Sequence, residues 1–291
     1  MKVFKKLSMC ILSGLLCFGV GVTTQAAEKI GNGVYALETS VYSDVTKDTF
    51  SADVTNDGKK DIIETVLSSV KEKVTLKVNG KTVKSWKAGT VNIHVVNVSK
   101  QAFLEITNWK SDLKLACGLY QIKKNKLTCI QDYTKLVNLK LYTSNCFTYK
   151  ANCFDEFTAT KVKGNTIYLH GEFATKNLGQ LKADGFMLAY SGKKFTLKNN
   201  AVTACPGYFL NNNGNTMPFN AGTKIQTYKS AGSSKKAFVI KKNTKFNVKI
   251  IAVIKKNIYI QIKTPAGKTG WMKLNTSNKA LVTNPPISIA G

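Results

Sequence analysis

Residues 53–61, which read DVTNDGKKD, concentrate acidic side chains in an otherwise basic chain. The stretch holds three aspartates, one asparagine and one glycine, whereas the whole chain has 43 basic and only 16 acidic residues. Calcium prefers hard oxygen ligands, and a glycine permits the sharp turn that brings them together. The stretch is therefore either a calcium loop or a plain turn that joins two strands.

Three further carboxylates, Asp155, Glu156 and Glu172, include candidates for the acid pair of a glycoside hydrolase. Their spacing gives no reason to prefer that role over ordinary surface charge. A papain-like peptidase is disfavoured because no cysteine lies in a recognisable nucleophile turn. A zinc amidase is disfavoured because the chain has only two histidines. We expect both, His94 and His170, to be ordinary strand residues.

The first 26 residues are typical of a signal peptide. Lys2, Lys5 and Lys6 give a positive start, residues 7–22 are apolar, and residues 24–26 fit a cleavage site. The apolar part is shorter than the ~20 residues that span a bilayer, and no later segment offers a second span. We therefore expect export, to a secreted or cell-wall-associated location.

The exported part is strongly basic, and all of its basic side chains are lysines. Removing the three signal lysines from 43 leaves 40 against 16 acidic residues, a net charge near +24. Such a charge favours polyanions such as teichoic acids, acidic polysaccharides or phospholipid surfaces, but a lysine bias over solvated strand faces gives the same composition. Missing arginine argues against specific nucleic-acid recognition, in which arginine usually contacts guanine.

Five cysteines follow the signal segment, and export permits disulfides. The odd number leaves one thiol unpaired. We expect Cys146 and Cys153, which lie close together, to form a bridge. One of Cys117, Cys129 and Cys205 then stays free if the other two pair.

Alternating apolar residues between turn signals predict an all-β protein. Residues 73–86, KVTLKVNGKTVKSW, alternate around Asn79-Gly80, the strongest two-residue hairpin signal. Two further segments repeat this form, with turns near Asn125 and Gly192. The chain has no long stretch of helical periodicity.

The hairpins belong to a repeat of 44 to 45 residues. Asp53 precedes Asp61 by eight residues, and Asn97 precedes Glu105 by the same eight. A third, looser unit covers residues 159–197. Units of this kind stack as propeller blades, and three are too few for a ring of the usual size. We expect an incomplete β-propeller-like or sandwich-like module.

The predicted domains follow from where the alternation breaks. Clustered Asn, Gly and Pro at 205–222 mark a linker between the repeat module, 27–204, and a compact run of short strands, 223–280. That run has the size of a small barrel. Residues 281–291, with two consecutive prolines, form a flexible tail.

Residues 223–275 resemble the bacterial SH3-type domain of exported cell-wall proteins. The resemblance depends on Tyr228, on the basic turn and strand KKNTKFNVKI, and on a hairpin that ends in Gly270-Trp271. Asn243 stands where a glycine is commoner in the family. The resemblance implies a small barrel that associates with the cell wall.

Three aromatic residues of this segment, Tyr228, Tyr259 and Trp271, are our candidates for a ligand groove. An exposed aromatic ring stacks on sugars or covers apolar peptide stems at a low entropy cost. Trp271 equally suits the core of a small barrel.

Residues 40–200 resemble the FG-GAP or VCBS-type repeats of exported bacterial proteins, which carry a calcium loop between two strands. Thr55 departs from the family pattern, because a hydroxyl replaces a carboxylate or amide and should weaken binding. The second unit lacks the Asp-Gly pair. The resemblance implies a structural Ca²⁺ whose ligands are Asp53, Thr55, Asp57, the Lys59 carbonyl and Asp61.

These features together predict an exported, non-catalytic protein that binds peptidoglycan or an anionic cell-wall polymer through its SH3-like domain. Two alternatives stay open. One is a wall glycoside hydrolase that uses carboxylates of the repeat module, and the other is a secreted protein-interaction module.

Overall fold

The structure, a computed structural model, describes nine ranges of the chain. Every regular element in these ranges is a β-strand, apart from short 3-10 turns such as Tyr133–Lys135. The predicted all-β class is therefore confirmed. The described ranges are 24–37, 47–68, 71–87, 90–110, 113–141, 153–175, 178–205, 218–274 and 281–283.

The first sheet contains β1 (Thr24–Ala26), β4 (Lys47–Ala52), β5 (Asp61–Ser68), β6 (Lys73–Val78) and β7 (Lys81–Lys87), in that spatial order. β4 to β7 form an antiparallel meander, and β1 lies parallel to β4. Asn79 and Gly80 join β6 to β7 with φ angles of 49° and 73°, as a primed two-residue hairpin turn requires. β1 belongs to the segment predicted as a signal peptide.

The second sheet is antiparallel throughout. Its strands are β2 (Glu28–Gly31), β3 (Val34–Leu37), β8 (Thr90–Val98), β9 (Gln101–Lys110), β10 (Leu113–Lys123) and β11 (Lys126–Asp132). Their order is β11-β10-β9-β8-β3-β2. The turn between β10 and β11 lies at Asn125, where the sequence predicts it.

The third sheet contains β12 (Lys140–Leu141), β13 (Cys153–Lys163), β14 (Thr166–Thr175), β15 (Gly179–Tyr190) and β16 (Phe195–Leu197), in that order. β12 is parallel to β13, and the other pairs are antiparallel. Three four-stranded meanders therefore follow one another along the chain, β4 to β7, β8 to β11 and β13 to β16. Their propeller-like arrangement stays a prediction.

The fourth sheet contains β17 (Asn200–Thr203), β18 (Phe219–Asn220), β19 (Ile225–Tyr228), β20 (Lys236–Ile240), β21 (Lys245–Ile254), β22 (Asn257–Lys263) and β23 (Thr269–Lys273). Its order is β17-β21-β22-β23-β19-β20, and β18 also pairs with β21. This order does not return to its start, so the described strands form no closed barrel. β17 precedes the predicted linker at 205–222, yet it pairs with β21.

The second sheet packs against other sheets on both of its faces. One face, with Ile93 and Leu104, packs against the first sheet around Ile63. The other face, with Phe103, packs against the third sheet around Phe157 in a core that continues into the fourth sheet. Coverage on both sides explains why the central strand β9 is buried without alternation over residues 102–108.

Glu105 is a buried charged group in this otherwise apolar layer. It lies in β9 with 2% of its surface exposed. Its carboxylate accepts hydrogen bonds from the Tyr133 hydroxyl at 2.7 Å and from the Ala159 N–H at 3.0 Å, and lies 2.8 Å from Nδ1 of His94. Tyr133 follows the second sheet and Ala159 lies in the third. Glu105 therefore ties these two sheets together.

We expect Glu105→Ala to lower the free energy of unfolding by about 3–5 kcal/mol, because it leaves buried donors without their acceptor. The matched control is Glu64→Ala in β5, which removes a carboxylate 2.5 Å from the ammonium of Lys47. That pair is partly exposed, and such pairs contribute about 0–1 kcal/mol. Urea unfolding of both variants measures the difference, and equal midpoints would contradict this role of Glu105.

Candidate functional site

The three aromatic residues predicted for a ligand groove lie around one cleft. The cleft has a volume of about 420 Å³ on the fourth sheet. Tyr228, Tyr259 and Trp271 are all half-buried, so each ring keeps an accessible part. The other lining residues are Ser230, Gly232, Ser233, Ser234, Lys236, Met272 and Lys273.

Strand alternation explains why these rings point outward together. In β22, Ile258, Ile260 and Ile262 are buried, which leaves Tyr259 on the opposite face. In β23, Met272 is buried, and its neighbour Trp271 points outward. Trp271 is therefore a residue of the outer face, and the alternative of a fully buried core residue does not hold.

The strand register brings the cleft residues side by side. Tyr228 in β19 is the Cα partner of Trp271 in β23 and of Lys236 in β20. Tyr259 in β22 is the partner of Lys273 in β23. Side chains of direct cross-strand partners lie within about 5.5 Å of each other at Cβ. Each tyrosine of the cleft therefore stands beside a lysine.

The loop between β19 and β20 forms one wall of the cleft. Ser233 donates its N–H to the Ser230 carbonyl at 3.1 Å, and Lys235 donates its N–H to the Ser233 hydroxyl at 3.0 Å. Gly232 has a φ of 79°, and a Cβ at this position would lie 3.8 Å from the Tyr259 hydroxyl. The glycine is therefore required by the positive φ of the turn, whereas a Cβ here would make only an ordinary contact with Tyr259.

The acidic stretch 53–61 forms the connection between β4 and β5. Asp53 accepts the N–H groups of Asp57 at 3.0 Å and Gly58 at 2.9 Å. Asp57 in turn accepts the N–H of Lys59 at 2.9 Å. Gly58 has a φ of 87°, so the chain folds back here as the sequence suggests.

Asp61, at the start of β5, closes the same loop from the other side. Its carboxylate accepts the N–H of Thr55 at 2.9 Å, the Thr55 hydroxyl at 3.0 Å and the side-chain amide of Asn79 at 2.8 Å. Asp53 is half-buried, Asp57 is exposed and Asp61 is buried. No cluster of three or more His, Cys, Asp or Glu side chains suited to a metal occurs in the described ranges. Calcium binding at this loop stays a prediction.

The carboxylates considered for glycoside hydrolysis meet across two strands. Glu156 in β13 is the Cα partner of Glu172 in β14. Burial opposes ionisation of Glu172, but hydrogen bonds from His170 and Lys182 outweigh it and lower the pKa of its carboxyl below 4.5. A general acid of a glycosidase needs a raised pKa, so Glu172 does not suit that role.

Sequence reasoning missed a charged cluster around His170. Its Nδ1 lies 2.6 Å from Oδ1 of Asp184, and its Nε2 lies 3.0 Å from Oε1 of Glu172. The Lys182 ammonium also contacts Glu172. The sequence signal for this cluster is a pair of charged or titratable residues at i and i+2 on each strand of the hairpin. In the register, His170 pairs with Asp184 and Glu172 pairs with Lys182. His170, Glu172 and Lys182 are half-buried and only Asp184 is exposed, so the cluster is a partly desolvated set of ion pairs.

Cys117 is buried, Cys129 is exposed and Cys205 is half-buried, and Cys129 and Cys205 are free thiols. Burial and the nearby Asp184 raise the pKa of the Cys205 thiol, which leaves it protonated and weakly nucleophilic. The predicted Cys146–Cys153 bridge lies outside the described residues, because Cys146 does.

Comparisons of the chain with protein-family models, with curated proteins and with solved structures give no match. Within the described ranges, no helix is long and apolar enough to cross a membrane.

The His170 cluster makes stability depend on pH. The hydrogen bond to Glu172 raises the pKa of His170 above 6.5, burial opposes this, and Asp184 reinforces it. A raised folded pKa gives a stabilisation that is complete below about pH 6.5 and is lost as pH rises through the folded value. The lowered pKa of Glu172 gives a stabilisation that is present above about pH 4.5 and lost at lower pH.

We therefore expect wild type to exceed His170→Gln in thermal stability most clearly between about pH 4.5 and 6.5, and the difference to shrink at higher pH. Thermal unfolding across pH 4 to 9 measures it. Asp184→Asn should show a smaller loss over the same range, because the Asp184 side chain is 63% exposed and the less exposed contact with Glu172 remains. A difference between wild type and His170→Gln that does not change with pH would contradict the assignment.

Proposed function

We propose that this protein is an exported, non-catalytic binding protein of the bacterial cell wall, whose ligand site is the cleft formed by Tyr228, Tyr259 and Trp271. The observation that carries the proposal is the gathering of these three aromatic side chains around one opening. Residues that sequence reasoning selected from separate strands lie next to each other there. The proposal includes secretion or wall association and a peptidoglycan or anionic wall polymer as ligand.

The cleft suits a ligand with alternating apolar and polar faces. Its volume lies within the ~300–1,000 Å³ of small-molecule sites. The flat rings of Tyr228 and Trp271 offer stacking area, and the hydroxyls of Ser230 and Ser233 line the same opening. Sugar rings have this division between an apolar face and a polar edge. A wall glycan with its attached peptide is therefore the ligand that the lining favours.

We also propose that the chain has the architecture that the two family resemblances imply, a repeat module followed by an SH3-like unit. The short antiparallel strands over 223–274 support an SH3-like unit, although their hydrogen-bonded order is open. The three successive four-stranded meanders support the repeat module of FG-GAP or VCBS type. The pairing of β17 with β21 adds a strand from the repeat module to the SH3-like unit.

Binding to purified cell-wall sacculi tests the cleft. We expect Trp271→Ala to weaken co-sedimentation of the mature protein by roughly thirtyfold, which corresponds to about 2 kcal/mol for a buried aromatic anchor. The matched control is Tyr168→Ala on the third sheet, because Tyr168 is also half-buried and also has a lysine, Lys161, 5.1 Å from its ring centre. The control should bind like wild type.

High salt distinguishes binding in the aromatic cleft from general charge attraction between the lysines and the wall. Exposed charges are screened over ~8 Å at physiological ionic strength, and more strongly at higher salt. We expect part of the binding, and its dependence on Trp271, to persist at about 0.5 M salt. If binding of both wild type and Trp271→Ala disappears at this salt concentration, charge attraction explains the binding and the cleft is not the ligand site.

A wall glycoside hydrolase is the second candidate, and the observation that favours it is the cross-strand pairing of Glu156 with Glu172. The same sacculi distinguish the two functions. Release of soluble sugar by wild type, lost in Glu156→Gln, would establish the hydrolase and overturn the non-catalytic proposal.

We further propose that Ca²⁺ stabilises the loop between β4 and β5 through Asp53, Thr55, Asp57, the Lys59 carbonyl and Asp61. The support is that Asp53 and Asp61 turn inward from opposite ends of the loop. A hundredfold excess of calcium over its Kd would then stabilise the fold by about 2.7 kcal/mol.

We expect added calcium to raise the melting temperature by about 5 °C or more. Asp57→Ala should abolish this response. The matched control is Asp132→Ala, because Asp132 also accepts a backbone N–H, that of Thr134 at 2.9 Å, but lies far along the chain from the loop. Identical melting curves in millimolar calcium and in excess chelator would leave the loop as a plain turn.

A further inference from the structure

Acidic residues are confined to the first part of the chain. Asp184 is the last Asp or Glu in the sequence, so residues 185–291 contain none. The described residues 218–274, which hold all strands of the fourth sheet except β17, contain 13 lysines and no acidic residue. The fourth sheet therefore carries positive charge without any negative side chain of its own.

Ion pairs of lysine occur only outside this segment among the described residues. Lys47, Lys135 and Lys182 each lie against a carboxylate. Among the described residues, no lysine of 218–274 takes part in an ion pair. Their charges face solvent uncompensated and produce a positive potential over one part of the surface.

Two of these lysines belong to the aromatic cleft. Lys236 is the cross-strand partner of Tyr228, and Lys273 is the cross-strand partner of Tyr259. Both lysines are exposed, and both line the cleft with Trp271. A ring that stacks on these aromatics would therefore have an ammonium group beside it on two sides.

From this juxtaposition we infer that the cleft recognises an anionic unit of the wall, a sugar or polyol that carries a phosphate or a carboxylate. The ring or carbon chain lies on Trp271, and the anion is held between Lys236 and Lys273. The inference rests on the proposed function and names its ligand class. A neutral glycan would use the aromatic rings but would leave both ammonium groups without a partner.

The serine-rich loop adds donors of the right kind. The Ser230 and Ser233 hydroxyls line the cleft, and neither an Asp nor a Glu does. An ionised oxygen accepts hydrogen bonds from hydroxyl and ammonium donors that are about twice as strong as neutral ones. The lining therefore contains donors for an anion and no side chain that would repel it.

The test compares two pairs of lysine substitutions that remove the same charge. Lys236→Gln with Lys273→Gln alters the cleft, whereas Lys241→Gln with Lys242→Gln alters the exposed turn after β20, outside the cleft. We expect the cleft pair to weaken binding to intact sacculi by about tenfold or more, since a lysine near an anionic surface contributes ~1 kcal/mol. The control pair should change binding less than threefold, because salt screens the attraction between the ligand and lysines that lie outside the cleft.

The source of the anion is settled by chemical treatment of the sacculi. Acid extraction removes phosphate polymers, and amidation blocks the carboxylates of the peptide stems. We expect one of these treatments to lower wild-type affinity to that of the cleft pair, and to leave the affinity of the cleft pair itself unchanged. Wild-type binding that survives both treatments would overturn the inference.

The remaining outcomes distinguish failure of the inference from failure of the proposed function on which it rests. If Trp271→Ala weakens binding and the cleft pair does not, the ligand is neutral and the inference fails while the proposed function stands. If Trp271→Ala binds like wild type, the proposed function itself fails. Equal losses in both lysine pairs would mean diffuse charge attraction and overturn the inference. Tighter binding of a single-stranded oligonucleotide than of sacculi at equal salt would also overturn it, because aromatic rings with lysines can bind such strands.

Discussion

The buried carboxylate of Glu105 is the interaction on which the layered arrangement depends. A carboxylate in an apolar layer is costly unless hydrogen bonds satisfy it, and here the donors come from the following turn and from the next sheet. Burial and the charge of Glu105 raise the pKa of Tyr133 well above 10, so its hydroxyl stays protonated and remains a donor. Sliding the third sheet along the second by one residue would remove the Ala159 N–H from Glu105. The contact therefore fixes the relative position of the two sheets.

That position determines where the cleft lies. The core behind the third sheet continues to Ile251 and Ile260 of the fourth sheet, and the N–H of Asn138 donates to the Lys256 carbonyl at 2.8 Å. The fourth sheet thus packs against this core, and Tyr259 and Trp271 on the opposite face stay half-buried. Tyr259 and Trp271 belong to that outer face because their neighbours fill the core. The cleft therefore lies on the face of the sheet that is opposite this core.

Local patterns in the sequence predicted the parts of this molecule that depend on local physics. The Asn79-Gly80 turn and the outward row that contains Tyr259 follow from backbone preferences and alternation. The role of Glu105 could not be predicted in this way. Its spacing from Asn97 matches the spacing in the acidic loop and suggested a second repeat unit. Its hydrogen-bond partners, however, lie 28 and 54 residues further along the chain. Burial of β9 on both faces likewise depends on contacts between distant segments. The ion pairs of His170 could be predicted only from the register of the hairpin formed by β14 and β15. The residues that connect these two strands do not reveal that register.

The distribution of charge connects the fold with the proposed ligand. In the first three sheets, carboxylates offset some of the lysines, as at Lys182 and Glu172. In the fourth sheet no described carboxylate forms an ion pair with them, so mutual repulsion works against the apolar core and the strand hydrogen bonds that stabilise it. An anion bound at Lys236 and Lys273 would relieve that repulsion in the folded state alone, since only the folded sheet brings these lysines to one cleft. Binding of the proposed ligand would therefore be coupled to the stability of the fourth sheet through the same electrostatic energy.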